Sequence, residues 1–355
     1  MTNSFYPAIA LAASLCTLAP STGNAHGDSG GGGGTLLPAG ITLVSVDYDV
    51  IRFNEISDAQ LTALALQGVE EVHSLKTIAV PALTLGYGVT HDLTLSVRLP
   101  YLSNEEIRET DPDSGGVAAR GGVHGFGDVS FTGTYRFLDD PASGLEAALI
   151  LGVKAPTGPT GRVDNFGERF ETEHQPSSGS WDGIFGATLS RELGLATLSA
   201  NALYQLSSEG TAQTTLGDRL SYGIAASYRL WSSAGLQNHD HASHLGANFD
   251  GMMHHGGPDH DNNGGHAEHT HADVFHGTSL DLSIGLNGEW SGKVETGGDV
   301  DQNTGGSVLF VTPGVKLSVD NWTGYINAGI PVSQSLNGIQ SDFDWRLTTG
   351  ASVQF

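Results

Sequence analysis

Histidine is concentrated in one segment of the chain, where it is mixed with acidic residues, glycine and asparagine. Ten of the 15 histidines lie between positions 239 and 276. Imidazole nitrogens together with carboxylates suit Zn²⁺, Cu²⁺ or Ni²⁺, so the composition predicts metal binding. The candidate ligands are His239, His241, His244, His254, His255, His260, His266, His269, His271 and His276.

These histidines do not form the H-E-x-x-H pattern of a catalytic zinc helix, so the signal lies in their density and not in a fixed ligand set. Glycine, asparagine and aspartate dominate the rest of the segment, which is therefore expected to have little regular structure. Two interpretations stay open. The segment is either a loop that captures metal ions or a polar spacer whose histidines respond only to pH.

The start of the chain has the features of an export signal. Residues 1–25 carry no charged side chain, and the apolar run 8–19 is too short to span a bilayer as a helix. Small residues up to Ala25 predict cleavage there, which leaves His26 as the first residue and as one more metal ligand. Cys16, the only cysteine, lies in this peptide, so the mature chain is expected to contain no disulfide or thiolate site.

Most of the remaining sequence alternates with a period of two residues. Between positions 44 and 50, apolar residues alternate with Ser45, Asp47 and Asp49. The same alternation recurs at 93–99 and 129–137, and the final segment ends on Phe355. A period of two is typical of strands whose two faces meet different solvents. A terminal aromatic after an alternating strand resembles the end of bacterial outer-membrane barrels.

About twelve such segments can be counted, which predicts an all-β fold: a transmembrane, antiparallel outer-membrane β-barrel. A soluble β-sandwich or soluble barrel is the alternative. The predicted organisation is a signal peptide at 1–25, a Gly-rich periplasmic segment at 26–40 and a barrel at 41–355 with a His-rich insertion at 233–277. With a formal net charge of -24, nucleic acid is not an expected partner.

The connections between the predicted strands alternate between short and long. Long ones lie at 54–77, 102–125, 155–178 and 291–306, and short ones separate them. Because such barrels have short periplasmic turns and longer external loops, both termini and the His-rich insertion are assigned to the periplasmic side.

The charged residues on the polar face of the strands are expected to line the lumen, with nearly balanced charge. No Ser/His pair can be placed on one barrel wall from this pattern, so an enzyme is not predicted, although barrel-embedded lipases exist as a class. The predicted pore-lining residues are Asp47, Asp49, Arg98, Arg136, Glu146, Lys154, Arg219, Arg229, Asp281, Lys316, Asp344 and Arg346.

Four motifs occur in order along the predicted barrel. They are Gly-Phe-Gly-Asp at 125–128, Thr-Tyr-Arg-Phe at 134–137, Leu-Gly-Val-Lys-Ala-Pro-Thr-Gly at 151–158 and Pro-Val-Ser-Gln-Ser-Leu-Asn-Gly-Ile-Gln at 331–340. Together they resemble the outer-membrane transporters named for the meta-cleavage pathway of phenol degradation. The resemblance implies a barrel that moves small hydrophobic or aromatic molecules, and the His-rich insertion departs from it.

We therefore expect an outer-membrane channel for small solutes whose periplasmic His-rich loop binds or delivers divalent transition metals. One alternative is a channel for hydrophobic or aromatic molecules with the loop as a spacer. A second is a membrane-anchored metal buffer without transport. Expected partners are outer-membrane lipid, the solute or metal ion, and a periplasmic protein at the loop. No cofactor is required, apart from Zn, Cu or Ni ions held by the loop.

Overall fold

A computed structural model describes residues 36–69, 72–233 and 277–355. No helix within these ranges has the length and apolar character to cross a membrane. The elements in chain order are β1 (Thr42–Asn54), α1 (Asp58–Ala65), β2 (His73–Ser74), β3 (Thr77–Gly88), β4 (Leu93–Asp111), β5 (Gly116–Phe126), β6 (Val129–Asp140), β7 (Leu145–Ala155), β8 (Asp182–Leu193), β9 (Ala196–Leu206), β10 (Thr214–Thr215), β11 (Arg219–Ser232), β12 (Thr278–Ser291), β13 (Glu295–Thr296), β14 (Asp299–Val300), β15 (Gly306–Val319), β16 (Trp322–Leu336) and β17 (Asp342–Gln354), with 3-10 turns at Thr172–His174 and Thr211–Gln213.

Twelve long strands close into one antiparallel barrel, which confirms the predicted fold. Going round the barrel, the order is β1, β3, β4, β6, β7, β8, β9, β11, β12, β15, β16 and β17, and β17 pairs with β1 again. Val46, for example, faces Ala351 across the closing pair and Leu83 across the next. Closure gives each of the twelve barrel strands a partner on both sides, which a structure surrounded by lipid requires.

The two faces of the strands differ as the alternation predicts. Large apolar side chains such as Val46, Leu151 and Ile284 are more than half exposed on the outside. Ser45 and Asp47, which lie on either side of Val46 in the sequence, are buried inside the barrel. An apolar exterior around a polar interior is the arrangement that lipid outside and a lumen inside favour.

The strand connections separate two ends of the barrel. At one end, called the short-turn end, lie the turns 89–92, 141–144, 194–195 and 320–321. The opposite end, called the long-loop end, carries the longer connections, including the one that contains α1 and β2. The strands that flank the His-rich insertion, β11 and β12, also meet at the short-turn end. Residues 1–35 and 234–276, with the predicted signal peptide and the ten candidate metal-binding histidines, lie outside the described part of the chain.

One predicted loop is wrong. The segment 102–125 was expected to be an external loop, but β4 continues to Asp111 and β5 pairs back along it. This hairpin extends past the barrel wall, and its pairing has two register shifts, between Asn104 and Ile107 and between Ile107 and Arg108. These shifts interrupt the period of two in the sequence.

A β-bulge in β17 corrects a second expectation. Arg52 pairs with Trp345, but the next residue, Phe53, pairs with Phe343, so Asp344 is the extra residue. Phe343 is 1% exposed inside the barrel, whereas Asp344 is exposed. One inserted residue exchanges the two faces, so Asp344 does not continue the interior row that holds Arg346.

Apolar side chains lie inside the barrel at both ends. Leu37, Ile41 and Leu43 form a small cluster at the short-turn end, where the N–H of Leu37 donates to Thr94 Oγ1 at 2.8 Å. A larger group at the long-loop end is here called the interior apolar cluster. It contains Ile51, Phe53, Leu75, Ile78, Val80, Leu102, Ile107, Val123, Phe170, Val308, Phe310 and Phe343.

Candidate channel interior

Asp47 joins strands on both sides of the closing pair. Its Oδ1 accepts a hydrogen bond from Tyr325 Oη at 2.6 Å, and its Oδ2 accepts one from Arg98 Nη1 at 3.2 Å. Tyr325 lies on β16 and Arg98 on β4, so these bonds pass over β17 and β3 inside the barrel. A buried carboxylate held by a cation and a hydroxyl is stabilised where a lone charge would not be.

A second charged group lies on the same wall around Arg346. Its guanidinium donates to Asp49 at 2.6 and 2.8 Å, and it also donates to Glu289 on β12. Thr348 Oγ1 adds a bond to Asp49 Oδ1 at 3.0 Å. Two acidic residues thus share one arginine, and the sequence had placed Asp49 and Arg346 on the lumen face.

Lys154 lies between two buried carboxylates, Asp128 at 3.0 Å and Asp182 at 2.8 Å. Asp128 Oδ1 also accepts the backbone N–H groups of Thr157 at 3.0 Å and Gly158 at 3.2 Å. These contacts hold the start of the loop between β7 and β8 against the barrel interior.

Most of the other predicted lumen residues also lie in pairs of opposite charge. Arg136 pairs with Glu146 at 3.1 Å, and Asp281 pairs with Arg229 at 2.9 Å and Lys316 at 3.4 Å. The remaining cation of the set, Arg219, is buried at 6% exposure. Except for Asp344, the predicted set therefore lies in the interior or at its rim, and its charges largely compensate one another. Whether these residues line an open pore stays a prediction.

The interior apolar cluster has an aromatic centre. The rings of Phe53 and Phe343 are 5.0 Å apart between centroids, and Phe310 meets Phe343 at 5.7 Å. All three side chains are 3% exposed or less. Edge-to-face contacts, as between Phe310 and Phe343, are among the arrangements that aromatic pairs prefer.

A cluster of metal-type donors lies near it at the long-loop end. His73, Glu171 and His174 each offer one ligand atom, and these atoms lie within 4.8 Å of one another. His73 Nε2 is 3.5 Å from Glu171 Oε2 and 3.5 Å from Glu109 Oε2. Burial lowers the pKa of His174 well below its ordinary value, and the neighbouring His73 lowers it further, so the ring is neutral at pH 7.

Arg120 on β5 organises the carboxylates around this cluster. It contacts Glu109 at 2.5 Å, Asp164 at 2.7 Å and Glu168 at 2.7 Å. Burial alone would lower the pKa of Arg120, but the three carboxylates outweigh it and raise the pKa. The arginine therefore stays charged and joins β4, β5 and the loop after β7.

Sequence reasoning missed this cluster. Its members are far apart in the chain, and His73 lies in a two-residue strand without any surrounding pattern. The one local signal is Glu171-Thr172-Glu173-His174, because a Glu and a His three positions apart can share a metal ion on one helical turn.

A profile of the family described as "Putative MetA-pathway of phenol degradation" matches residues 57–246, more than half of the 355-residue chain. The chain belongs to this family. The resemblance inferred from the four motifs is thereby confirmed. No curated protein sequence matches the chain.

Three solved structures of outer-membrane proteins are similar to this member of the phenol-degradation family. The COG4313 outer membrane channel from Pseudomonas putida F1 is similar over 92% of this chain and 100% of its own, with 15% identity and a TM-score of 0.53. The β domain of the Bordetella autotransporter BrkA matches with 11% identity, 89% and 100% coverage and a TM-score of 0.44. The NanC porin matches with 8% identity, 88% and 98% coverage and a TM-score of 0.38.

The closed twelve-stranded barrel and the family together place the protein in the bacterial outer membrane. Within this family member, two of the motifs meet in space. The Asp of Gly-Phe-Gly-Asp is Asp128, and the Lys, Thr and Gly of Lys-Ala-Pro-Thr-Gly are Lys154, Thr157 and Gly158, which all contact it. The motifs thus specify a single hydrogen-bonded group where the loop enters the barrel.

Proposed function

We propose that the barrel is a channel for small uncharged hydrophobic or aromatic molecules. The observation that carries this proposal is the interior apolar cluster, because a water-filled barrel has a polar interior. Apolar surface removed from water contributes about 25 cal/mol per Å². An aromatic solute that displaces or separates Phe53, Phe310 and Phe343 would contact aromatic and other apolar side chains at the long-loop end.

The charges of the lumen support an uncharged solute. Asp47, Asp49 and Lys154 are engaged by partners of opposite charge and do not form a ring of one sign. Ion-selective pores use rings of like charge. Compensated charges instead provide polarity without a strong field, which suits neutral molecules that carry a hydroxyl group.

The comparisons add independent support for this class of solute. The family description names a pathway of phenol degradation, and the similar structure from Pseudomonas putida is described as an outer membrane channel. We extend both descriptions to this chain as a proposal, and we propose transport without catalysis.

Entry of a fluorescent apolar dye into cells tests the solute class. Cells with an intact lipopolysaccharide layer and no other large porin would express the wild-type chain or Phe343→Asn, and N-phenyl-1-naphthylamine would report entry. We expect faster entry with the wild type, and slower entry with Phe343→Asn, which places an amide in the apolar cluster. Phe166→Asn, at a loop residue that is 63% exposed, is the matched control.

Nitrocefin, a charged and polar probe, tests the alternative of a water-filled pore. If the barrel accelerates nitrocefin entry but leaves the apolar dye unchanged, the hydrophobic-solute proposal fails and a water-filled pore replaces it. Heat-dependent migration of each variant in gels confirms that equal amounts of folded barrel are compared.

Metal handling by the His-rich insertion is a second proposal, supported by the ten histidines between β11 and β12. Calorimetric titration with Zn²⁺, Cu²⁺ and Ni²⁺ would compare the wild-type chain with one in which these ten histidines are replaced by asparagine. Loss of micromolar binding supports metal capture or delivery. Equal metal binding by the two proteins leaves the insertion as a spacer. Metal binding that depends on the ten histidines but does not change dye entry favours the buffering role.

A further inference from the structure

We propose that His73, Glu171 and His174 bind one divalent transition-metal ion of the Zn²⁺ class. The site lies at the long-loop end of the barrel, opposite the end where β11 and β12 flank the His-rich insertion. Its three ligands are not among the ten histidines of the insertion. Two imidazoles and a carboxylate are a donor set that Zn²⁺ and its neighbours in the first transition row accept.

Two elements from different parts of the chain present the donors. His73 lies on β2, which pairs with β4 at Glu109. Glu171 precedes the 3-10 turn in the loop between β7 and β8, and His174 is the last residue of that turn. His73 is 2% exposed and His174 1% exposed, so both rings are enclosed by the structure.

The distances are close to those of a ligand set. Glu171 Oε2 lies 3.5 Å from His73 Nε2 and 4.0 Å from His174 Nε2. Ligands bound at about 2.1 Å in a tetrahedral site lie about 3.4 Å from one another. The widest separation is limited to 4.8 Å, so an ion would draw the donors together by about 1 Å.

The hydrogen bonding of the two rings points to a missing partner. Within the described residues, neither nitrogen of His174 has a hydrogen-bond partner, and Nδ1 of His73 has none either. His174 instead contacts the ring of His73 edge to face, with centroids 4.7 Å apart. Buried polar atoms are normally paired, and unpaired ones call for a ligand or an ion. A metal ion would satisfy one nitrogen of His174, and on His73 it would bind Nε2, the nitrogen that faces Glu171.

The surroundings of the site orient its ligands. Glu109 Oε2 lies 3.5 Å from His73 Nε2 and is held at 2.5 Å by Arg120 Nε. Arg120 also binds Asp164 in the loop that carries Glu171. Held in this way, Glu109 is a further carboxylate beside Nε2 of His73, the ring nitrogen that also faces Glu171. A bound ion would join β2 to this loop across the mouth of the barrel.

The test uses the full-length chain with the ten insertion histidines and His26 replaced by asparagine, so that the proposed site dominates metal binding. This protein would be titrated with Zn²⁺ by calorimetry and with Co²⁺ by visible absorption. We expect one ion per chain and the d–d bands of a nitrogen- and oxygen-bound Co²⁺ ion. His174→Ala is expected to weaken Zn²⁺ binding at least tenfold, and His124→Ala, at an exposed position on β5, is the matched control.

Glu171→Gln provides a second variant, because its shape is conserved and folding is less at risk than with His174→Ala. A tenfold or larger loss with Glu171→Gln, with normal heat-dependent gel migration, supports the site. The proposal is overturned if the asparagine-substituted chain binds neither Zn²⁺ nor Co²⁺. It is also overturned if Glu171→Gln and His124→Ala bind as the parent does. Neither result depends on which solute the barrel transports.

Discussion

Asp128 and Lys154 form a buried ion pair of 3.0 Å between the start of β6 and the end of β7. Both residues are 3% exposed or less. Asp128 also binds both ends of the loop that follows β7, through the N–H groups of Thr157 at 3.0 Å and Ser178 at 3.3 Å. A single carboxylate therefore fixes where this loop leaves the wall and where it returns.

Replacing Asp128 with alanine should release this loop. The substitution leaves the Lys154 ammonium with Asp182 as its remaining carboxylate, beside the Ser178 hydroxyl, and removes the acceptor of the loop N–H groups. Breaking a buried pair from one side costs about 3–5 kcal/mol, and the remaining contact to Asp182 places the loss at the lower end of that range. Urea unfolding in lipid vesicles measures the free energy, and protease cleavage between β7 and β8 should increase. Asp113→Ala, at an exposed residue, should change neither quantity.

Two glycines in the same loop provide a matched comparison of packing. A Cβ on Gly158 would lie 2.5 Å from the carbonyl oxygen of Phe126, whereas one on Gly161 would meet nothing within 4 Å. Gly158→Ala must therefore shift backbone and should lower the free energy of unfolding by about 1–3 kcal/mol. Gly161→Ala should stay within about 0.5 kcal/mol of the wild type. Equal stability of the two variants would contradict the close approach at Gly158.

The sequence predicts the barrel because lipid and lumen impose different residue types on alternate positions. It predicts neither the hairpin of β4 and β5 nor the bulge at Asp344, for different reasons. Past the barrel wall, two register shifts beside Ile107 interrupt the alternation over several residues, although the strand continues. At Asp344, one extra residue changes the face, and a pattern of period two cannot locate such an insertion.

The charge pairs and the histidine cluster mark the limit of sequence reasoning about the site. The lumen face could be recognised on each strand. The partner of Asp47, however, is Tyr325, two strands away. The register of the intervening strands determines this pairing, and the sequence pattern does not give that register. His73 and His174 meet only after the loop beyond β7 folds inward. Contacts between elements that are distant in sequence depend on closure of the barrel.

A charge on the lipid face should destabilise the barrel in proportion to its depth. Leu151 is 60% exposed in the middle of β7, and its replacement by arginine should cost about 2–4 kcal/mol if the position lies near the bilayer midplane. Val163→Arg, at a loop position that is 56% exposed, should cost almost nothing. Unfolding in vesicles compares the two, and an equal cost would mean that Leu151 does not face lipid.

Arg346 should be among the most sensitive residues of the interior. Arg346→Gln leaves Asp49 and Glu289 buried with no guanidinium between them, so a loss of about 3–5 kcal/mol in the free energy of unfolding is expected. Adding Asp49→Asn and Glu289→Gln removes the uncompensated charges and should recover part of the loss. Arg191→Gln, at an exposed position, is the control. A triple variant less stable than the single one would show that the hydrogen bonds outweigh the charges.

Protonation of Asp164 at low pH should loosen the loop that carries Glu171 and His174. Burial tends to raise the pKa of Asp164, but hydrogen bonds from Arg120 and from the N–H groups of Glu168 and Phe166 outweigh it and lower the pKa. A carboxyl whose pKa is lower in the folded state stabilises it fully above the unfolded value of about 3.9. That stabilisation is lost as the pH falls through the lower, folded value.

Hydrogen exchange of the loop amides as a function of pH measures this dependence. After correction for intrinsic exchange, protection should be constant from pH 7 to about pH 4 and should fall below that. In Asp164→Asn, protection at pH 7 should be reduced and the acid-dependent step should be smaller, because the group no longer titrates. A wild-type step that begins well above pH 5, or one unchanged in Asp164→Asn, would assign the acid response of the loop to a different group.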